Sequence, residues 1–209
     1  MKTLPTLLLT ALALLVLGVA CSPTGSSSQN SQTQTQATTL DTAKYKKQGM
    51  EIAMSTFKAL SGQLKSALQE GGVANAAQYC NTVAYPLVDS LSEVHQATIR
   101  RTSRKIRNPK DAPTPREEAM LDVYHAKVEA GERPSPQLRQ LANGEIAFYA
   151  PIMMQELCLK CHGKLGETLK AEDYALIQSL YPEDEAIGYA AGDLRGMWSI
   201  TLPAGKQPD

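Results

Sequence analysis

Apolar residues recur at three- and four-residue steps from Met50 through Ala53, Met54, Phe57, Leu60, Leu64 and Ala67 to Leu68. That spacing predicts an amphipathic helix over residues 42–70. Gly71-Gly72 stops it. A second helical stripe starts near Val73 and takes in Ala76, Ala77, Cys80, Val83, Ala84 and Leu87. Pro86 is expected to kink or split it. The pattern then shortens. Residues 97–103 read as a strand. Residues 107–115 carry three prolines in nine positions and read as a loop. Residues 116–130 are helical up to Gly131, and 138–149 hold two strands around Asn143-Gly144, a strong hairpin signal. A short helix is expected within 151–162 and another helix over 171–180. The stretch 193–202 ends in a strand, Met197 to Thr201. Helices with a small antiparallel sheet make an α+β domain rather than an all-helical bundle.

The N-terminus follows a different pattern. Met1-Lys2 precedes an apolar run from Leu4 to Ala20, which is too short and too weakly flanked for a spanning helix and reads as an export signal, residues 1–20. Ala20 before Cys21 points to lipoprotein processing with lipid on Cys21, although Gly18 stands where that pattern prefers a larger aliphatic residue. Ordinary cleavage with a free Cys21, or an uncleaved anchor, is the competing reading. Ser22 to Thr39 is mostly Ser, Gln, Thr and Asn, with almost nothing apolar, and cannot bury enough surface to fold. Residues 21–40 are therefore a lipidated cysteine and a flexible tether with a span of roughly 25 Å. Residues 41–209 form one domain.

Charge narrows the partners. Twenty-one basic and twenty-one acidic residues balance, so no net field draws the chain to nucleic acid. The expected membrane contact is the lipid.

One pentapeptide changes the picture most. Cys158-Leu159-Lys160-Cys161-His162 is the C-x-x-C-H attachment signature of a c-type haem. Two thiols at this spacing can add to the two porphyrin vinyl groups, and the adjacent imidazole can bind iron. A zinc site would need further ligands. A thioredoxin-like pair would follow a strand in a βαβ unit, which is not visible nearby. A Cys158–Cys161 disulfide would close too short a loop to gain much. An exported domain agrees with haem, because this attachment takes place outside the cytoplasm.

Of four cysteines, Cys80 is left without an assignment. It lies on an apolar helix face, so a buried core thiol and an axial ligand are both open readings. Met153, Met154, His95 and His125 are rival ligands; the two methionines lie too near Cys158 to wrap easily to the opposite ring face. Arg101, Arg104 and Arg107 belong to a basic cluster that suits two haem propionates or an ordinary solvated strand edge. Trp198 reads as a core anchor.

Longer stretches resemble a known family. They are A-A-Q-Y-C-N-T-V-A around Cys80, R-R-T-S-R-K-I-R-N-P with D-A-P-T-P-R-E-E, Y-A-P-I-M-M-Q-E-L-C-L-K-C-H-G, and G-D-L-R-G-M-W-S-I-T-L-P. The chain resembles the c-type haem-binding family with a PAS-like fold, long catalogued as a domain of unknown function and found in cyanobacterial cytochromes and bacterial receptor sensor domains. The resemblance implies a PAS-like sheet flanked by helices and one haem c held at Cys158 and Cys161. It also implies His162 and Cys80 as the two axial ligands. A thiolate–imidazole pair implies a low reduction potential. The expected role is electron transfer or redox sensing with a separate redox or signalling protein. A gas-sensing module is the alternative, and a haem enzyme such as a peroxidase stands behind both.

Overall fold

A computed structural model describes residues 41–204. The export signal, Cys21 and the tether lie outside the described residues, as do residues 205–209. Helix α1 spans Thr42–Thr82, with the Asp41 side chain capping Lys44 N–H at 2.9 Å. The stop expected at Gly71-Gly72 is present as a break inside this helix: Gly72 takes φ 64, a conformation that a side chain disfavours. Asn75 Nδ2 donates to the Ala67 carbonyl exposed by the break, at 3.1 Å.

Helix α2 is Ala84–His95. The helical stripe is split, as expected: α1 ends at Thr82 and α2 starts at Ala84 with Val83 between them, so Pro86 sits in the first turn of the second piece, where its missing N–H has no helical partner to lose. Strand β1 is Thr98–Thr102. The proline-rich segment contains one 3-10 turn, Pro109–Asp111. Helix α3, Pro115–Glu129, opens on a full capping box between Thr114 and Glu117. The hairpin forms from β2, Gln137–Gln140, and β3, Ile146–Met153. Strand β3 thus runs further than expected, and the cysteine motif follows it in a 3-10 turn, Glu156–Cys158, and the single-turn helix α4, Leu159–His162. Helix α5 is Ala171–Leu180 and strand β4 is Leu194–Leu202.

The four strands form one antiparallel sheet in the order β1-β4-β3-β2. Alternation along the strands divides the core between the two faces. Ile146, Phe148, Ala150, Trp198, Ile200 and Leu202 pack with Ile52, Leu60, Ala84 and Val88 of α1 and α2. Ala147, Tyr149, Leu194 and Met197 pack with Met120, Leu121 and Tyr124 of α3. The fold is α+β, as the hydrophobic pattern requires. A third cluster joins Val73 and Ala77, beyond the α1 break, to Leu169, Ile177 and Tyr181, with Cys161 against it. The glycine break therefore lets the last turns of α1 pack on the motif and on α5.

Candidate functional site

A cavity of about 240 Å³ opens between the later part of α1, the start of α2, one end of the sheet and the motif. Cys80, Cys158, Cys161 and His162 all line it. None of the three thiols is in a disulfide. They arrive from separate elements: Cys80 from α1, and the motif from the 3-10 turn and α4.

Local backbone contacts hold the motif in place. The Cys158 sulfur accepts Gln155 N–H at 3.4 Å, and Gly163 N–H closes α4 on the Leu159 carbonyl at 2.9 Å. A Cβ at Gly163 would lie 2.0 Å from Thr168 Oγ1 and 2.5 Å from the Leu159 carbonyl. The glycine is thus needed for the turn after the motif. A strap, residues 184–189, clamps the other side: Gly188 N–H donates to the Gly163 carbonyl and Tyr189 N–H to the His162 carbonyl.

His162 Nδ1 is 2.7 Å from the Ala186 carbonyl. A carbonyl can only accept, so Nδ1 carries the proton and Nε2 is left with its lone pair. Burial holds the imidazole well below its ordinary pKa, and the nearby Arg107 and Arg195 charges push the same way. His162 is therefore a neutral donor for a metal. The Tyr189 ring stands edge-on to it at 6.4 Å and 86°. Burial raises the Cys80 thiol, with Arg101 and Arg107 opposing, and raises Cys161 to about 11. Without a metal these sulfurs stay protonated; a bound metal would be the group that deprotonates a coordinating thiol.

The arginines divide. Arg101 and Arg107 line the cavity. Arg107 Nη2 donates to the Cys161 carbonyl at 2.7 Å and pairs with Asp184 at 3.0 Å, so it ties the motif to the strap. Its Nε is buried with no partner. Arg104 is not brought to the cavity: it pairs with Glu118 and Asp122 on α3, as a solvated strand edge would. Arg195, which the sequence reading did not single out, takes a place in the lining. The pairing jumps from Ile152–Gly196 to Met153–Leu194, so Arg195 is the extra residue of a β-bulge. A bulge re-aims a side chain. Arg195 donates to Ser103 Oγ at 2.5 Å and to the Lys105 carbonyl at 3.0 Å. The glycine after it, inside a strand pattern, is the sequence signal that could have found this.

Met153 and Met154 also border the cavity. His95 bonds Ser55 on the far part of α1, and neither His95 nor His125 lines the cavity. Trp198 is both a core residue and part of the wall. Two phenol oxygens, of Tyr79 and Tyr85, are buried without partners among residues of the same lining. Among the described residues, no group of three or more His, Cys, Asp or Glu side chains is arranged to hold a metal ion by itself. Spread-out thiols, one neutral imidazole, orphaned donors and arginines around an apolar hollow suit a large, mostly apolar cofactor with anionic substituents.

No curated protein matches the chain. A solved structure, that of the cyanobacterial heme-protein Tll0287, is similar at 23% identity, with 75% of this chain and 98% of that chain covered and a TM-score of 0.49. The Tll0287-like family matches residues 28–203, nearly the whole length read above as tether and domain, and the chain belongs to that family.

Proposed function

We propose that the chain is an exported mono-haem c-type protein, held to a membrane by lipid on Cys21, that carries or senses single electrons for a separate protein partner and is not an enzyme. Cys158 and Cys161 hold the haem through thioethers, and His162 and Cys80 are its axial ligands. The observation that carries this reading is the meeting of three free thiols and one neutral, carbonyl-oriented imidazole around one cavity, from two distant parts of the chain. The haem supplies a one-electron couple. The residues do the rest: Ala186 fixes the tautomer of His162, and Arg107 binds the motif to the strap. Arg101 and Arg195, with the free Nε of Arg107, supply donors for propionates, as charge-assisted bonds require.

The test is spectroscopic. Purified exported protein should show the mass of one covalently attached haem, lost in Cys158→Ala/Cys161→Ala. Its ferric form should be low-spin by electron paramagnetic resonance, and Cys80→Ser should change that signal. An unchanged signal removes Cys80 from the ligand set. Tight carbon monoxide binding by the reduced protein would favour gas sensing over electron transfer.

A further inference from the structure

Two hollows in this domain share a wall. A groove between α1 and the cysteine motif is lined by Lys65, Leu68, Gln69, Leu157 and Lys160. Leu68 and Leu157 also line the cavity that holds Cys80 and His162. Leu157 directly precedes Cys158, and Lys160 stands between Cys158 and Cys161. The groove therefore lies against the motif side of the cavity, with leucine side chains common to both. Lys65, Leu68 and Gln69 are three and four residues apart on α1 and share one helix face.

The cations around the cavity are mostly engaged. Arg101, Arg107 and Arg195 line its inside, and Arg104 is paired with Glu118 and Asp122. Lys105 donates to the Ile187 carbonyl. Lys65 and Lys160 differ from these: both are exposed, and neither forms an ion pair among the described residues. Lys58, two turns before Lys65 on the same helix face, is exposed and unpaired as well. Glu70 and Glu156 adjoin Gln69 and Leu157 in sequence, yet they do not line the groove and pair with no described lysine. The groove thus offers free ammonium groups beside a leucine floor. Because the chain's net charge is zero, attraction of a partner has to come from a local patch of this kind.

We propose that this groove is the docking surface for the redox partner, and that the partner is a protein presenting carboxylates around its own redox centre. This rests on the haem reading above and adds the chemistry of the partner. Electron exchange weakens steeply with distance, so a partner gains by seating against a wall that the cavity itself shares. One electron crosses: the haem iron changes by one oxidation state and the partner's centre by one in the opposite sense, with no bond formed or broken. Such encounters are small, below about 1,200 Å² in total, which a groove and its rim can supply. Exposed lysines contribute steering and orientation more than tight binding, which suits a partner that leaves after each transfer. An anionic membrane is the poorer occupant, because lipid recognition takes clusters of about 4–8 basic residues, and this groove sets two lysines beside a recess.

The experiment uses the full haem-loaded chain and two acidic probes, a plant-type two-iron, two-sulfur ferredoxin and poly-glutamate. Calorimetry with chain and ferredoxin both oxidised reads binding while no electron moves. At low ionic strength both probes should bind, and amide shifts in NMR spectra should centre on residues 65–69 and 157–160. Lys65→Glu/Lys160→Glu should weaken binding by roughly tenfold. That difference should vanish as salt cuts the screening length from about 30 Å to about 3 Å. Stopped-flow reduction by the reduced ferredoxin should slow by a similar factor. Lys127→Glu, on α3 across the sheet, makes the same kind of charge change and should leave both readouts as in the wild type. Should Lys160→Glu impair haem loading, Lys65→Glu alone, outside the motif, carries the test. Unchanged affinity in the lysine variants, shifts centred elsewhere, or no salt-dependent binding of either probe overturns the proposal. So does equally tight, lysine-dependent binding to vesicles of phosphatidylcholine and phosphatidylserine in equal parts, which would make the groove a membrane contact. Self-association that the same variants abolish overturns it too. Failure of the haem reading is seen separately, as the lack of a c-type haemochrome spectrum, and leaves the binding isotherms readable.

Discussion

Arg107→Ala should be among the most damaging single substitutions in this domain. The side chains of Arg107 and Asp184 are 13% and 0% exposed, so solvent hardly screens the pair. Truncating Arg107 removes its bond to the Cys161 carbonyl and strands the Asp184 carboxylate, whose Oδ1 keeps only the Ala186 N–H. Leaving one partner of a buried pair uncompensated costs about 3–5 kcal/mol. For a domain of this size each kcal/mol lowers Tm by about 2–4 °C, so the loss should lie between about 6 and about 20 °C. Urea unfolding of the wild type, Arg107→Ala, Asp184→Ala and the double variant closes a cycle. The double variant should be clearly more stable than the sum of the single losses predicts, because it leaves no orphaned charge. Strict additivity, or a loss below about 1 kcal/mol for Arg107→Ala, would show that the arginine is a surface charge and that the strap is held by its backbone alone.

Three further outcomes are expected. Glu117 is fully buried; burial would raise its carboxyl, yet the Thr114 N–H, Ser199, the Thr114 hydroxyl and Arg100 together hold it below its ordinary value. A depressed carboxylate contributes stability above its unfolded pKa and loses it as pH falls through the folded one. Glu117→Gln should therefore cost about 1.5–3 kcal/mol at neutral pH, and the gap to the wild type should close on acidification in pH-resolved urea melts. Gly72→Ala should lower the unfolding free energy obtained from urea melts by about 1–2 kcal/mol, since its φ of 64 lies in the left-handed region. Met153→Leu and Met154→Leu, being close in volume, should leave the ferric spectrum unchanged; a spectral shift with either would put that thioether on the metal in place of Cys80.

Much was legible along the chain because it depends on neighbours in sequence. Three- and four-residue periodicity, Gly71-Gly72 and Asn143-Gly144 act over one or two turns, and each appears where the pattern puts it. The chemistry of Cys158, Cys161 and His162 is equally local, because two thiols and an imidazole at fixed spacing have few uses. Pro86 is legible in the same way: a proline forbids a helix interior but is welcome in a first turn, and the helix is split at Val83, just before the turn that holds it.

Tertiary structure decided the rest, because it concerns which distant side chains share a cavity. Arg101, Arg104 and Arg107 look alike in sequence, yet the first and third reach the cavity while the second turns to α3. The bulge that aims Arg195 exists only through the mismatch of β3 and β4. Asp184 and Ala186 sit in a stretch without regular structure, and they matter because it folds back over the motif. The sequence by itself determined the elements and the reactive pentapeptide, through local sterics and covalent spacing. Only the packed fold determined what surrounds that pentapeptide, because burial and the fields of paired charges arise between residues far apart in the chain.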